Sequence, residues 1–159
     1  MDETPTTPQS GDADRQFSLK RMYVKDLSFE SPASPQLFST DWRPDIRIEV
    51  GVAYNQVDKS LYEVVLQLTV TAKQEDKTVL LIEVQQAGLF EVNGVDEKTM
   101  PQVLYVVCPT ILFPYARETV DTLALKGSVP PLLLAPIDFQ AVHSKQQETQ
   151  QPPAANEAP

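Results

Sequence analysis

The sequence predicts an α+β domain, a four-stranded antiparallel sheet with two main helices packed on one face. Three observations predict it. Four segments alternate apolar and polar residues with a period of two, the mark of strands with one covered and one wet face. The links between them are short or turn-like, which favours an antiparallel meander over βαβ units. After Asn93-Gly94 the period becomes helical, so strands precede helices along the chain.

Residues 17–30 place Phe17, Leu19, Tyr23, Leu27 and Phe29 on one face, and Asp26, Ser28 and Glu30 on the other. Residues 46–52 set Ile46, Ile48, Val50 and Val52 against Arg47 and Glu49. Residues 61–72 set Tyr62, Val64, Leu66, Leu68 and Val70 against Glu63, Gln67 and Thr69. Residues 78–92 set Leu80, Ile82, Val84, Phe90 and Val92 against Leu81, Glu83, Gln85 and Glu91. Residues 51–60 and Asp76-Lys77 read as links. Asp96 and Thr99 are candidate caps for a short helix running toward Val107, with Pro101 in its first turn. Cys108-Pro109 reads as a break. A longer helix then runs from Ile111 or Pro114 to Lys126, with Leu112, Ala116, Val120, Leu123 and Ala124 at helical spacing and Gly127 at its C-terminal cap. Residues 129–137, VPPLLLAPI, exclude regular helix, and Asp138 caps a last weak helix over 139–146.

The 159 residues suit one domain. Residues 1–15 and 144–159 are rich in Pro, Gln and acidic or small polar residues, so both are expected to be disordered tails flanking a folded domain at 16–143. Thirteen Lys and Arg against 22 Asp and Glu give a net charge of −9. That disfavours nucleic acid, whose phosphates are held by clustered cations, and anionic lipid. One cysteine excludes an intrachain disulfide. The N-terminal stretch is polar and acidic, and no apolar run approaches a membrane span. A cytoplasmic protein is expected.

Catalysis finds no support. No Gly-rich phosphate loop, GxSxG or metal-ligand spacing occurs, so neither an enzyme nor a cofactor is expected. The single His143 borders the C-terminal tail and reads as a surface residue, and Cys108 reads as a small buried residue. Asp26, Glu30 and Glu83 sit on wet strand faces, without the burial that separates the pKa values of an acid–base pair. Binding remains.

The segments FSLKRMYVKDLSFESP, DWRP, YEVVLQLTVTA, EVQQAGLF, CPTILFPYARE and LAPIDF, in that order, resemble the SecB family over residues 17–142. The resemblance implies subunits that join edge strands into an eight-stranded sheet, and two such dimers packed through their helices into a homotetramer. It implies a holdase that binds unfolded secretory precursors without ATP, keeps them export-competent and delivers them to the SecA motor. It places the client groove between the loop before the second strand and the second helix. Candidate groove residues are Phe38, Trp42, Tyr54, Leu112, Phe113, Tyr115, Leu132, Leu133 and Leu134, each of which alternatively fills the core. Residues 130–136 are the expected irregular groove edge, where prolines leave neighbouring backbone groups open. For SecA the resemblance points to Asp26, Glu30, Leu81 and Glu83. Dimer–dimer packing is expected near Ile82, Val84 and Gln86, with Tyr23, Leu27 and Phe29 facing the same helical layer. The final helix, HSKQQETQQ, departs from the family in lacking apolar residues. Two alternatives stand beside this reading: a SecB-like chaperone of a toxin–antitoxin pair, and a small-ligand-binding or enzymatic α+β domain.

Overall fold

The structure, a computed structural model, describes residues 15–150. Four strands, β1 (Gln16–Glu30), β2 (Asp45–Asp58), β3 (Leu61–Gln74) and β4 (Lys77–Asn93), form one antiparallel sheet in the order β1-β4-β3-β2. The expected meander therefore holds only for β2, β3 and β4. At the β3–β4 turn Glu75 and Asp76 both take left-handed backbone, φ 53° and 59°, the mirror-image turn that matches strand twist. β1 crosses to the far edge and pairs with β4, a Greek-key order. The connection explains this. Residues 31–44 carry Pro32, Pro35 and Pro44 and a one-turn helix at Gln36–Ser39, so no tight hairpin joins β1 to β2. β2 also runs past Val52, and the expected link at 51–60 is strand as far as Asp58.

β1 is irregular twice. Register jumps between Leu19 and Arg21 and between Val24 and Asp26 leave Lys20 and Lys25 as extra residues. Each extra residue reverses the side taken by those that follow. The helix-facing row is therefore Phe17, Leu19, Met22, Val24, Leu27 and Phe29, opposite Val92, Phe90, Gly88, Gln86, Val84 and Ile82 of β4. Tyr23, expected in that row, lies on the open face.

The helical half begins at Asp96, whose Oδ1 accepts the Thr99 N–H at 2.7 Å. Helix α1 (Met100–Gln102), a π-helical turn (Val103–Val107) and α2 (Cys108–Lys126) follow without interruption. The expected break at Cys108-Pro109 is absent. Proline has no N–H, and its ring crowds the carbonyl four residues back. The wide turn, in which the Cys108 N–H reaches the Val103 carbonyl, makes room for it. Helix α2 ends as expected at Gly127, with Ser128 N–H bonded to Leu125 O and Val129 N–H to Ala124 O, a Schellman cap. Helix α3 (Phe139–Gln150) starts on Asp138, whose Oδ1 accepts the N–H groups of Gln140 and Ala141 at 3.0 and 3.2 Å. It outlasts the expected 139–146, so the tail expected from 144 is helical to Gln150. The rest of the expected tails, Arg15 apart, lies outside the described residues.

Helix α2 lies over β4 and β3. Leu112, Ala116, Val120 and Ala124 pack on the buried rows Val64, Leu66, Leu68 and Val70 of β3 and Leu80, Ile82, Val84 and Phe90 of β4. Each large apolar side chain so buried contributes roughly 1.5–3 kcal/mol. Gly88 permits the approach: a Cβ there would stand 2.5 Å from the Phe90 ring and 2.9 Å from Leu112 Cδ2.

Candidate functional site

The open face of the sheet reads as rows across strands. One row is Glu30, Leu81, Thr71 and Arg47; the next is Ser28, Glu83, Thr69 and Glu49; the third is Asp26, Gln85 and Gln67. The four residues expected to share a face, Asp26, Glu30, Leu81 and Glu83, are thus neighbours on β1 and β4. Beyond the second bulge the alternation is regular, so parity brings them together. Glu83 accepts a hydrogen bond from Ser28 Oγ at 3.1 Å. Among the described residues none of Asp26, Glu30 and Glu83 joins an ion pair.

Toward the other end of the sheet the acids are compensated. Lys20 pairs with Glu91 at 2.6 Å and Lys25 with Glu63 at 2.6 Å. The Tyr23 hydroxyl also donates to Glu63. Bonds from Lys25 and then Tyr23 hold the Glu63 carboxyl below the ordinary carboxylate value, and burial with the Glu63 bond pushes the Tyr23 hydroxyl up to about 12. Uncompensated negative charge therefore gathers around half-buried Leu81, near the β1 C-terminus.

The helix side carries the apolar candidates, and the structure divides them. Leu112, Phe113 and Leu134 are buried. They fill the core of the single chain, Leu112 against Gly88 of the sheet and Phe113 edge-on to Phe139 of α3 at 6.2 Å. Phe38, Tyr54, Tyr115 and Leu133 are exposed, and Trp42 and Leu132 half-buried. Ile82, Val84 and Gln86 are 0, 1 and 4 % exposed within the single chain. These three, expected near dimer–dimer packing, lie on the face of the sheet turned toward the helical layer, and Gln86 Nε2 donates to Tyr23 O at 3.2 Å.

The exposed aromatics do not form one patch. Trp42 precedes β2 and Tyr54 lies near its far end, on the order of 40 Å along an extended strand. Tyr54 stands edge-on to Tyr105 at 5.5 Å, and Tyr105 stacks on His143 of α3 at 4.9 Å. His143, expected on the surface, is thus half-covered by that stack. Phe38 and Trp42 belong to the crossover loop. Gln74 clasps that loop to the β3–β4 hairpin: Nε2 donates to Asp41 O at 2.9 Å and Oε1 accepts the Arg43 N–H at 3.0 Å. A cleft of about 390 Å³ opens there, lined by Pro32, Ala33, Leu37, Thr40, Thr78 and Val79 among others. Sequence reasoning missed Gln74, Tyr105 and Asp121. No local signal marks Gln74, whose partners lie over thirty residues away.

Cys108 is buried, and burial pushes its thiol up to about 12. Among the described residues no three His, Cys, Asp or Glu side chains converge as metal ligands, and no helix is long and apolar enough to cross a membrane.

Fold and faces define an α+β protein with an acidic sheet face and a broad, partly apolar helix side. Residues 10–150 match the family described as preprotein translocase subunit SecB. The protein-export protein SecB of Hahella chejuensis is 49 % identical over 145 residues, covering 89 % of this chain and 91 % of that one. The SecB of Marinobacter nauticus is 47 % identical over 143 residues, covering 90 % and 87 %. In fold the chain is similar to a Mycobacterium tuberculosis SecB-like chaperone solved in complex with an antitoxin peptide. The TM-score is 0.65 at 19 % identity, covering 76 % of this chain and 90 % of that one. The chain belongs to the SecB family of protein-export chaperones.

Proposed function

We propose that this chain is an ATP-independent, non-enzymatic holdase of the cytoplasm. It binds unfolded secretory precursors on its helix side and presents the acidic sheet face to SecA. The observation that carries this reading is the segregation of the two surfaces. Exposed Tyr115 and Leu133 with half-buried Leu132 belong to the helical half, exposed Phe38 and half-buried Trp42 to the crossover loop, and Asp26, Glu30 and Glu83, without an ion pair among the described residues, surround Leu81 on the open face of the sheet. Unfolded chains share exposed apolar side chains, so a scattered apolar surface suits many clients. Binding that favours the unfolded state holds a client open by mass action, without nucleotide. A basic partner suits the acidic face.

A homotetramer fits what the single chain leaves uncovered. Phe17, Leu19, Val24 and Leu27 on edge strand β1 are exposed on the helix side, as are Val107 of the π-helical turn and Leu125 of α2. An unpaired edge beside an apolar row suits pairing with another copy. The acidic cluster and the export relatives favour delivery to SecA over service to a toxin–antitoxin pair. The test is refolding of a urea-unfolded client with no nucleotide present. The protein slows refolding in proportion to its concentration; an unchanged rate at saturating protein contradicts the holdase.

A further inference from the structure

The segment between α2 and α3 is built around one carboxylate. Asp121, on α2, accepts the N–H of Leu132 at 2.9 Å and that of Leu133 at 3.1 Å on the same Oδ1. These N–H groups, expected to be open at the groove edge, are thus taken. Leu133 has φ 51°, the left-handed region that an L side chain with a Cβ avoids. Its neighbours turn inward, Leu132 half-buried and Leu134 buried, whereas Leu133 is 75 % exposed, the most of any exposed large hydrophobic described. The segment is pinned at both ends, by the Schellman bonds of Ser128 and Val129 and by the Asp138 cap.

A leucine exposed on a mobile loop is ordinary. A leucine forced into left-handed backbone and held there by two bonds from its segment to one half-buried carboxylate is a presented side chain. We infer that Asp121 is a positioning residue for client capture: it holds Leu133 outward as a fixed apolar contact for an unfolded polypeptide. Prepositioning lowers the ordering cost of each capture. This rests on the holdase reading.

The test uses the full chain, without nucleotide, and a permanently unfolded probe, reduced and carboxymethylated α-lactalbumin, with binding read by fluorescence anisotropy. Leu133→Ala weakens binding roughly threefold to tenfold, the loss of part of one buried leucine contact. Asp121→Ala weakens it similarly, and the double variant is no weaker than the weaker single one. Asp121→Asn binds like the parent protein, because the amide oxygen accepts the same two N–H groups. Leu133→Gly loses affinity while its melting temperature holds or rises, since glycine adopts φ 51° without a Cβ penalty. A merely structural leucine would move both quantities together. Parent-like binding by Leu133→Ala and Leu133→Gly overturns the inference while leaving the holdase standing, as do multiplying losses in the double variant. A parent protein that ignores the probe sinks both.

Discussion

The Phe29 ring of β1 lies directly against Gly127 at the end of α2: a Cβ at position 127 would stand 2.4 Å from Phe29 Cζ. Gly127 has φ −81°, which any residue adopts, so close approach explains this glycine. The left-handed residue of the cap is Ser128, at φ 60°. Gly127→Ala is therefore expected to cost about 1–3 kcal/mol through overpacking. Ser128→Gly is expected to add roughly 0.5–1 kcal/mol. Urea midpoints check both, and a stabilised Gly127→Ala would show that the Phe29 contact is slack.

The Lys25–Glu63–Tyr23 group predicts pH dependence at both extremes. The folded pKa of Glu63 is depressed from 4.5, so its contribution is present above that value and lost as pH falls through the folded one. The folded Tyr23 holds its proton up to about 12 against an ordinary 10.0. Its contribution is present below about pH 10 and lost as pH rises toward 12. Tyr23→Phe is expected to reduce the alkaline loss, to which Tyr105 and Cys108, also raised by burial, still contribute, and to soften the acid one. Urea midpoints across pH measure this; an unaltered alkaline limb in Tyr23→Phe contradicts it.

The acidic face predicts separable binding. Glu83→Lys places a cation among Asp26, Glu30 and Leu81 and is expected to weaken SecA tenfold or more, about 1.4 kcal/mol per decade. Client affinity stays within twofold, because Glu83 points away from the helix side. Raising salt weakens SecA more than client, since exposed charges are screened. Calorimetric titration reads both, and equal losses would point to misfolding.

Cys108 is expected to be inert in the folded chain. With the thiol at about 12 and no exposed surface, almost no thiolate meets a reagent near neutral pH. Labelling by a disulfide reagent should require unfolding, so native labelling at the rate of a free thiol would contradict the packing. Cys108→Ser keeps client binding and loses about 1–3 kcal/mol of stability from a buried hydroxyl.

Much of the fold was legible because one sheet face is wet. Parity is regular in β2 up to Gln56, in β3 from Tyr62 to Ala72 and in β4 from Leu80 onward, and in β1 after its second bulge, which is why Asp26, Glu30, Leu81 and Glu83 are readable as neighbours. The bulges at Lys20 and Lys25 leave no mark in composition, so Tyr23 was placed on the wrong side. Pro109 read as a break because proline normally ends a helix; the π-helical turn that accommodates it is a backbone adjustment. The β1–β4 pairing depends on a long-range choice between strand edges. Among the groove candidates, Leu112 already lay on the apolar stripe of α2 with Ala116 and Val120, and it is core. Leu133 differs from Leu132 and Leu134 through one backbone angle, in a segment tied by two N–H groups to a carboxylate eleven and twelve residues away.

The most direct test of the holdase account is the native mass of the purified protein by light scattering, alone and with a urea-unfolded client, without nucleotide. The account predicts a mass near four subunits that rises on adding the unfolded client and stays fixed with the same client folded. A monomer whose mass ignores unfolded chains would contradict it.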